Sequence, residues 1–250
     1  MRTGEDISLK LLKTLFIPIR AIPFMESSII FQGISEKTGP VSLLVKGYKR
    51  PSSKLRGEID ILSVSHVLFY PKSTREVHTV REAKMIENYP NIYRNYNTLQ
   101  ECLKIGKILL HTTPRVSASS FFQLYRGLLK EVNRINGVCK RSLYFGMLVK
   151  LLHLHGVFPK LDECVRCKSK KVAYISLKAR GPLCPKCAKA YDDTLPYTPK
   201  MAQELFFLLS RDFSEISRFK TSSNTEDLIR QMTEIHITMD DENEVEKGSF

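Results

Sequence analysis

The chain has 250 residues, 42% of them hydrophobic and 26% charged, which excludes a collagen-like or wholly disordered protein and suffices for one large or two to three small domains. Thirty-nine Lys and Arg against 26 Asp and Glu give a net charge of +13. Lys13, Pro18 and Arg20 break the most apolar early stretch, no run approaches the ~18 apolar residues of a membrane span, and Met1–Asp6 opens no cleavable secretory segment, so the expected location is the cytoplasm.

The positive excess is uneven. Residues 1–80 carry +5, 81–160 carry +9, 161–200 carry +5 and 201–250 carry −6. A body of that charge attracts polyanions, with nucleic acid the leading class; solvated lysine faces without a ligand are the alternative.

Five short runs rich in Ile, Val, Leu, Phe and Tyr come first: Leu11–Ile19, Ser27–Ile34, Val41–Tyr48, Ile59–Phe69 and Val77–Ile86. Pro23, Ser35–Pro40, Pro51–Ser53 and Pro71–Thr74 separate them, and Glu36–Gly39 carries a hairpin turn signal. Five strands with no helical period between them predict a small closed barrel of the OB type, a scaffold that commonly binds single strands or oligosaccharides. Where the third run gives way to a long Pro/Ser turn lies a cationic stretch, Lys46, Lys49, Arg50, Lys54 and Arg56, without an acid among them. A flexible basic loop at a barrel mouth, with Tyr48 for base stacking, suits sequence-tolerant single-strand binding. The alternative is a solvated loop with Tyr48 in the core.

After Ile86 the period becomes helical. Leu99, Cys102, Leu103, Gly106, Leu109 and Leu110 mark a helix over 98–110, stopped by Thr113–Pro114. A second starts at Ser117, with Phe121, Leu124, Tyr125, Leu128, Val132 and Ile135 as its stripe; Arg126, Lys130 and Arg134 fall on the opposite face, as a phosphate track or as a solvated face with Glu131 in partial relief. A third, Arg141–His155, is apolar almost all round and should be the buried centre of a helical domain, ended by Gly156 and Pro159. Cys102 reads as a small buried hydrophobe, and Cys139 stands beside Lys140 and Arg141, where a lowered pKa is conceivable. His153 and His155 diverge on the helix, one toward the core and one toward its C-terminus.

Cys164-Val-Arg-Cys167 and Cys184-Pro-Lys-Cys187 then present two Cys-x-x-Cys knuckles 16 residues apart. Such a pair lets four thiolates converge tetrahedrally on Zn²⁺ with no open position, a structural site that contributes folding free energy to a segment with little core of its own. Disulfides are disfavoured in a reducing cytosol, and a redox pair needs no second knuckle. Eight basic residues (Arg166, Lys168, Lys170, Lys171, Lys178, Arg180, Lys186 and Lys189) and no acid lie between Cys164 and Lys189. They read as a basic knob touching phosphates, Lys170 and Lys171 foremost, or as a solvated ribbon favouring the thiolates. Helices over Pro199–Phe219 and Thr225–Met239 follow, and residues 240–250 form an acidic tail too charged to fold, long enough to compete with nucleic acid for the basic surfaces.

The expected fold is α+β: an N-terminal five-stranded OB-fold barrel over 1–86, an α-helical domain over 87–160 and 190–239, and an inserted four-cysteine zinc segment over 161–189. No clustered acids for a two-metal nuclease, no phosphate loop and no nucleophile elbow are present, so no enzyme activity is expected.

The order of these parts resembles the bacterial RecO family of recombinational repair proteins over nearly the whole chain. The most specific stretch runs from Phe145 through Gly156, Pro159, Leu161-Asp162, Cys164 and Cys167; Gly181-Pro-Leu-Cys184-Pro-Lys-Cys187 is similar to the family's second cysteine pair, with Pro182 where a second glycine is usual, and Lys46-Gly47 matches the barrel's third strand. The resemblance implies a non-catalytic, nucleoid-associated mediator that binds single- and double-stranded DNA and anneals complementary strands. With RecR it would load RecA onto DNA coated by single-stranded DNA-binding protein. It also implies contact with that protein's acidic C-terminal tail and, indirectly, with RecF. A zinc-containing interaction scaffold with incidental nucleic-acid affinity is the alternative.

Overall fold

The structure, a computed structural model, describes residues 11–71 and 76–236. The chain forms two compact units that divide between Val138 and Cys139.

In the first unit, β1 (Leu12–Phe24), β2 (Ser28–Ser35), β3 (Gly39–Val45), β4 (Val64–Phe69) and β5 (Val77–Glu87) close in the order β1-β2-β3-β5-β4. The β3/β5 pair is parallel and the other neighbours are antiparallel, so the expected OB-like barrel is present. Strand alternation sends Phe16, Phe31, Leu43, Val45, Val67 and Phe69 inward to form its core. Gly33 is required by close approach, since a Cβ there would lie 2.2 Å from the Ile17 carbonyl oxygen.

Three strand limits differ from expectation, the first being β3, which ends at Val45 rather than Tyr48. β1 continues through Pro18 and Pro23, with a register shift between Pro18 and Arg20, and the Pro18 carbonyl accepts instead from the Leu62 N–H at 2.8 Å. A bulge is where a strand tolerates proline. β4 starts at Val64 rather than Ile59 because Ile59 and Leu62, both fully buried, enter the core from a turn-rich loop.

Two helices belong to the same unit. α1 (Tyr96–Thr112) begins where Asn95 accepts from the Thr98 N–H, and α2 (Ala118–Arg134) follows a 3-10 turn. Their apolar stripes lie on the barrel: Gly106 faces Ile19, and Gly39 at the start of β3 faces Ala118. The buried Tyr125 hydroxyl donates to the Cys102 carbonyl at 2.8 Å, tying α2 to α1. The boundary expected at residue 86 is therefore not where the compact units part. Helical period shows that a stripe is buried, not which surface buries it.

The second unit is centred on α3 (Arg141–Leu154), buried on nearly all sides as its composition predicts. A small sheet of order β7-β6-β8 follows, from β6 (Tyr174–Ser176), β7 (Gly181–Leu183) and β8 (Thr194–Pro196), with the one-turn helix α4 (Pro185–Ala188) between the last two. α5 (Pro199–Ser210), α6 (Phe213–Ile216) and α7 (Ser223–His236) complete the unit, Gly146 of α3 facing Ile216 and Leu208. The single helix expected over 199–219 is two: Arg211 is extended, and the Asp212 carboxylate accepts from the Glu215 N–H at 2.9 Å to start a new helix. The acidic tail at 240–250 and the expected helix end at Met239 lie outside the described residues.

Candidate metal centre and nucleic-acid surface

Each cysteine pair sits on a tight turn. In the first, the Cys164 carbonyl accepts from the Lys168 N–H at 2.9 Å and the Cys164 N–H donates to Ser169 at 2.8 Å, with Lys168 left-handed at φ 63°. In the second, Cys184 caps α4 and accepts from the Ala188 N–H at 2.9 Å. The Val165 N–H donates to the Pro182 carbonyl at 2.9 Å, joining the two turns, and a Cβ on Gly181 would lie 2.5 Å from the Val165 side chain.

This brings the sulfurs of Cys164, Cys167, Cys184 and Cys187 within 4.8 Å of one another, Cys167 and Cys184 at 3.6 Å. A tetrahedral site with metal–sulfur bonds of about 2.3 Å has edges of about 3.8 Å, so the four thiols have the size and shape to hold a thiophilic ion. Their chemistry agrees. Burial raises the Cys164 pKa, but N–H groups of Cys167, Cys184 and Arg166 outweigh it and bring the thiol down to about 6. Hydrogen bonds with Cys184 and Cys167 push Cys187 up to about 12. Four sulfurs this close share protons unless a cation lies among them, and a cation releases the protons.

The basic residues separate into two kinds. In the loop after β3, Lys46, Lys49, Arg50, Lys54 and Arg56 are all exposed, and none has a carboxylate within ion-pair distance among the described residues. Tyr48 is not beside them in solvent: its ring packs edge-on against Phe31 at 5.3 Å, and its hydroxyl donates to the Ile59 carbonyl at 2.7 Å. Tyr48 is half-buried against the barrel core, its hydroxyl partnered, which is the arrangement a tyrosine adopts at a core edge.

On α2, Arg126 and Lys130 converge on Glu87 at the end of β5. The Arg126 guanidinium binds the carboxylate through two nitrogens, the Lys130 ammonium lies at 3.0 Å, and the Tyr89 hydroxyl donates at 2.5 Å. Burial would raise the Glu87 pKa; these donors instead lower it to about 2. Arg134 is held by Glu131 at 2.7 Å.

In the cysteine-bearing segment three of the eight basic residues have carboxylate partners, while Arg166, Lys171, Arg180, Lys186 and Lys189 are exposed with no ion pair among the described residues. Lys170 meets Asp162 at 2.7 Å, Lys168 meets Glu163 at 3.5 Å, and Lys178 meets Asp192 at 2.6 Å. The acids flank the cysteine pairs in sequence: the first cysteine turn brings Asp162 and Glu163 to Lys170 and Lys168, and the pairing of β6 with β8 brings Asp192 to Lys178. Lys171 is exposed, and Arg166 lies over the Tyr191 ring. Cys102 is buried as expected; Cys139 is half-buried.

Two exposed apolar residues of the barrel mouth lie outside the sequence-predicted site. Phe24 and Met25, at the β1–β2 turn, are exposed next to Lys46 and Arg50. The available signal was an apolar pair placed at a hairpin turn, where polar residues are usual. Among the described residues no helix is long and apolar enough to cross a membrane.

Comparison with known proteins accords with this arrangement. A family model described as Recombination protein O N terminal matches residues 9–89, and one described as Recombination protein O C terminal matches residues 106–239. Similar curated proteins carry the name DNA repair protein RecO. One from Dehalococcoides mccartyi is 24% identical over 212 residues, covering 83% of this chain and 82% of its own. One from Caldicellulosiruptor saccharolyticus is 22% identical over 242 residues, covering 92% and 93%. One from Bacillus subtilis is 21% identical over 226 residues, covering 88% and 86%.

Proposed function

The chain belongs to the Recombination protein O family, and from that premise we propose that it is a non-catalytic DNA repair mediator. It binds single- and double-stranded DNA through the barrel, anneals complementary strands and, with RecR, helps load RecA onto DNA coated by single-stranded DNA-binding protein, whose acidic tail it contacts. RecF is engaged indirectly. The carrying observation is the cationic loop: Lys46, Lys49, Arg50, Lys54 and Arg56 stay exposed and without carboxylate partners among the described residues, whereas Arg126, Lys130 and Lys170 spend their charge on nearby acids. Unneutralised cations on a barrel loop are what phosphate contact with counterion release requires.

Zn²⁺ is the ion this reading assigns to Cys164, Cys167, Cys184 and Cys187. Four thiolates suit it, and with no position left open the ion holds the two cysteine turns together rather than activating a substrate.

The test is annealing of complementary oligonucleotides coated with single-stranded DNA-binding protein, with and without RecR. The parent chain should accelerate annealing. A variant with all five loop cations changed to Ala should lose up to about 3.5 from the slope of log affinity against log salt, at about 0.7 per single-strand phosphate contact. A parent that does not accelerate annealing, or a variant with an unchanged slope, overturns the reading.

A further inference from the structure

We infer that Phe24 and Met25, at the turn between β1 and β2, form the nucleobase-stacking element of the barrel mouth, seating an unpaired base of single-stranded DNA while Lys46 and Arg50 hold the flanking phosphates. This rests on the barrel being the DNA-binding surface.

Four observations bring these groups together. Phe24 is 39% exposed and Met25 is 80% exposed, though both are large and apolar and stand at a tight turn. Met25 has φ 54°, a left-handed conformation that side chains other than Gly, Asn and Asp adopt at a cost and that clusters at functional sites. The cationic loop is fastened to this turn by its backbone: the Lys49 N–H donates to the Ser27 carbonyl at 2.9 Å, and the Gly47 N–H donates to the Ser28 hydroxyl at 3.3 Å. Finally, Phe24, Met25, Leu44, Lys46 and Arg50 line one open cavity of about 750 Å³, ample for a nucleobase.

The chemistry selects the occupant. A flat apolar ring and a polarizable thioether offer a stacking face to any base, and two cations beside them match a phosphate on either side. Glu26 is the acid on the rim; it repels phosphate and directs the backbone along the Lys46 and Arg50 side. A duplex, with its bases already stacked, gains nothing from the apolar pair. Tyr48 cannot serve, because its ring is packed against Phe31 and its hydroxyl is bound to Ile59.

The experiment measures binding of the full chain to a single-stranded oligonucleotide, to an abasic oligomer of equal length, and to the matching duplex. Phe24→Ala should weaken single-strand binding about tenfold or more without changing the salt slope, since a stacking face and no charge is removed. Binding of the abasic oligomer and the duplex should be unchanged, and Phe24→Tyr should restore the affinity. A 2-aminopurine base in the strand should change fluorescence on binding the parent and lose that change with Phe24→Ala and Met25→Ala. Both residues are exposed, so their variants keep the barrel core, which an unchanged melting temperature checks. Loss of affinity equal on the abasic and normal strands, or no loss with either variant, overturns the stacking inference. If the five-cation variant still weakens binding in that case, the barrel remains the DNA-binding surface; if neither class of variant weakens binding, both readings fail.

Discussion

Changing Glu87 to Gln removes one negative charge where three donors converge, and the structure indicates the consequence. The carboxylate is 19% exposed and accepts from Arg126, Lys130 and Tyr89. Those donors overcome burial and bring its pKa from the ordinary 4.5 to about 2. A carboxyl group with a depressed folded-state pKa contributes stability that is complete above its unfolded pKa and is lost as the pH falls through its folded pKa. At 1.36 kcal/mol per pH unit, the contribution is about 3 kcal/mol at pH 7 and falls to about 1 kcal/mol at pH 3. Other carboxylates titrate alike in both proteins and cancel in the comparison. Urea unfolding followed by circular dichroism, in low salt, should therefore show a parent-to-variant gap that narrows by about 2 kcal/mol between pH 7 and pH 3. Urea carries no charge and leaves the ion pairs unscreened. A gap that is the same at both pH values, or a variant as stable as the parent at pH 7, would refute the assignment of Arg126 and Lys130 to Glu87 rather than to an external phosphate.

Three further outcomes are expected. Chelation should remove one metal ion per chain and lower the melting temperature, and Cys187→Ser should do both without a chelator, as metal analysis and calorimetry would show; a preparation with no metal and an unmoved transition refutes the centre. Tyr48→Phe should cost about 1 kcal/mol through the lost bond to the Ile59 carbonyl and leave single-strand affinity unaltered in fluorescence anisotropy; a loss of affinity would return Tyr48 to the binding surface. Gly33→Ala places a Cβ 2.2 Å from the Ile17 carbonyl oxygen, backbone that cannot yield, and should cost at least about 3 kcal/mol in urea unfolding; a variant within 1 kcal/mol of the parent, on the same ~1 kcal/mol scale, contradicts the crossing of β1 and β2.

Much of the fold was legible because its signals are local. The five apolar runs, the turn residues between them and the two Cys-x-x-Cys spacings act within a few residues, and they locate the barrel strands and the four converging thiols. The helix at 199–219 shows the limit: its apolar stripe runs on through Arg211 and Asp212, and only the capping geometry of Asp212 reveals the break.

Charge is where sequence and tertiary structure part. The sequence by itself determines how many cations each segment holds, and that the loop at 46–56 and the segment at 164–189 contain no acid within them. It does not determine which acids the fold returns to those cations, because ion pairing depends on distance in space. Glu87 is 39 residues from Arg126 in sequence and bound to it in the structure. Asp192 reaches Lys178 through the pairing of β6 with β8, and Asp162 reaches Lys170 across the first cysteine turn. Among the described residues no carboxylate comes within ion-pair distance of the barrel loop's cations, and Tyr48 turns its hydroxyl to the Ile59 carbonyl and its ring edge-on to Phe31. The net charge of +13 was fixed by composition; which part of it faces solvent unpaired was decided by the packing of strands and helices around it.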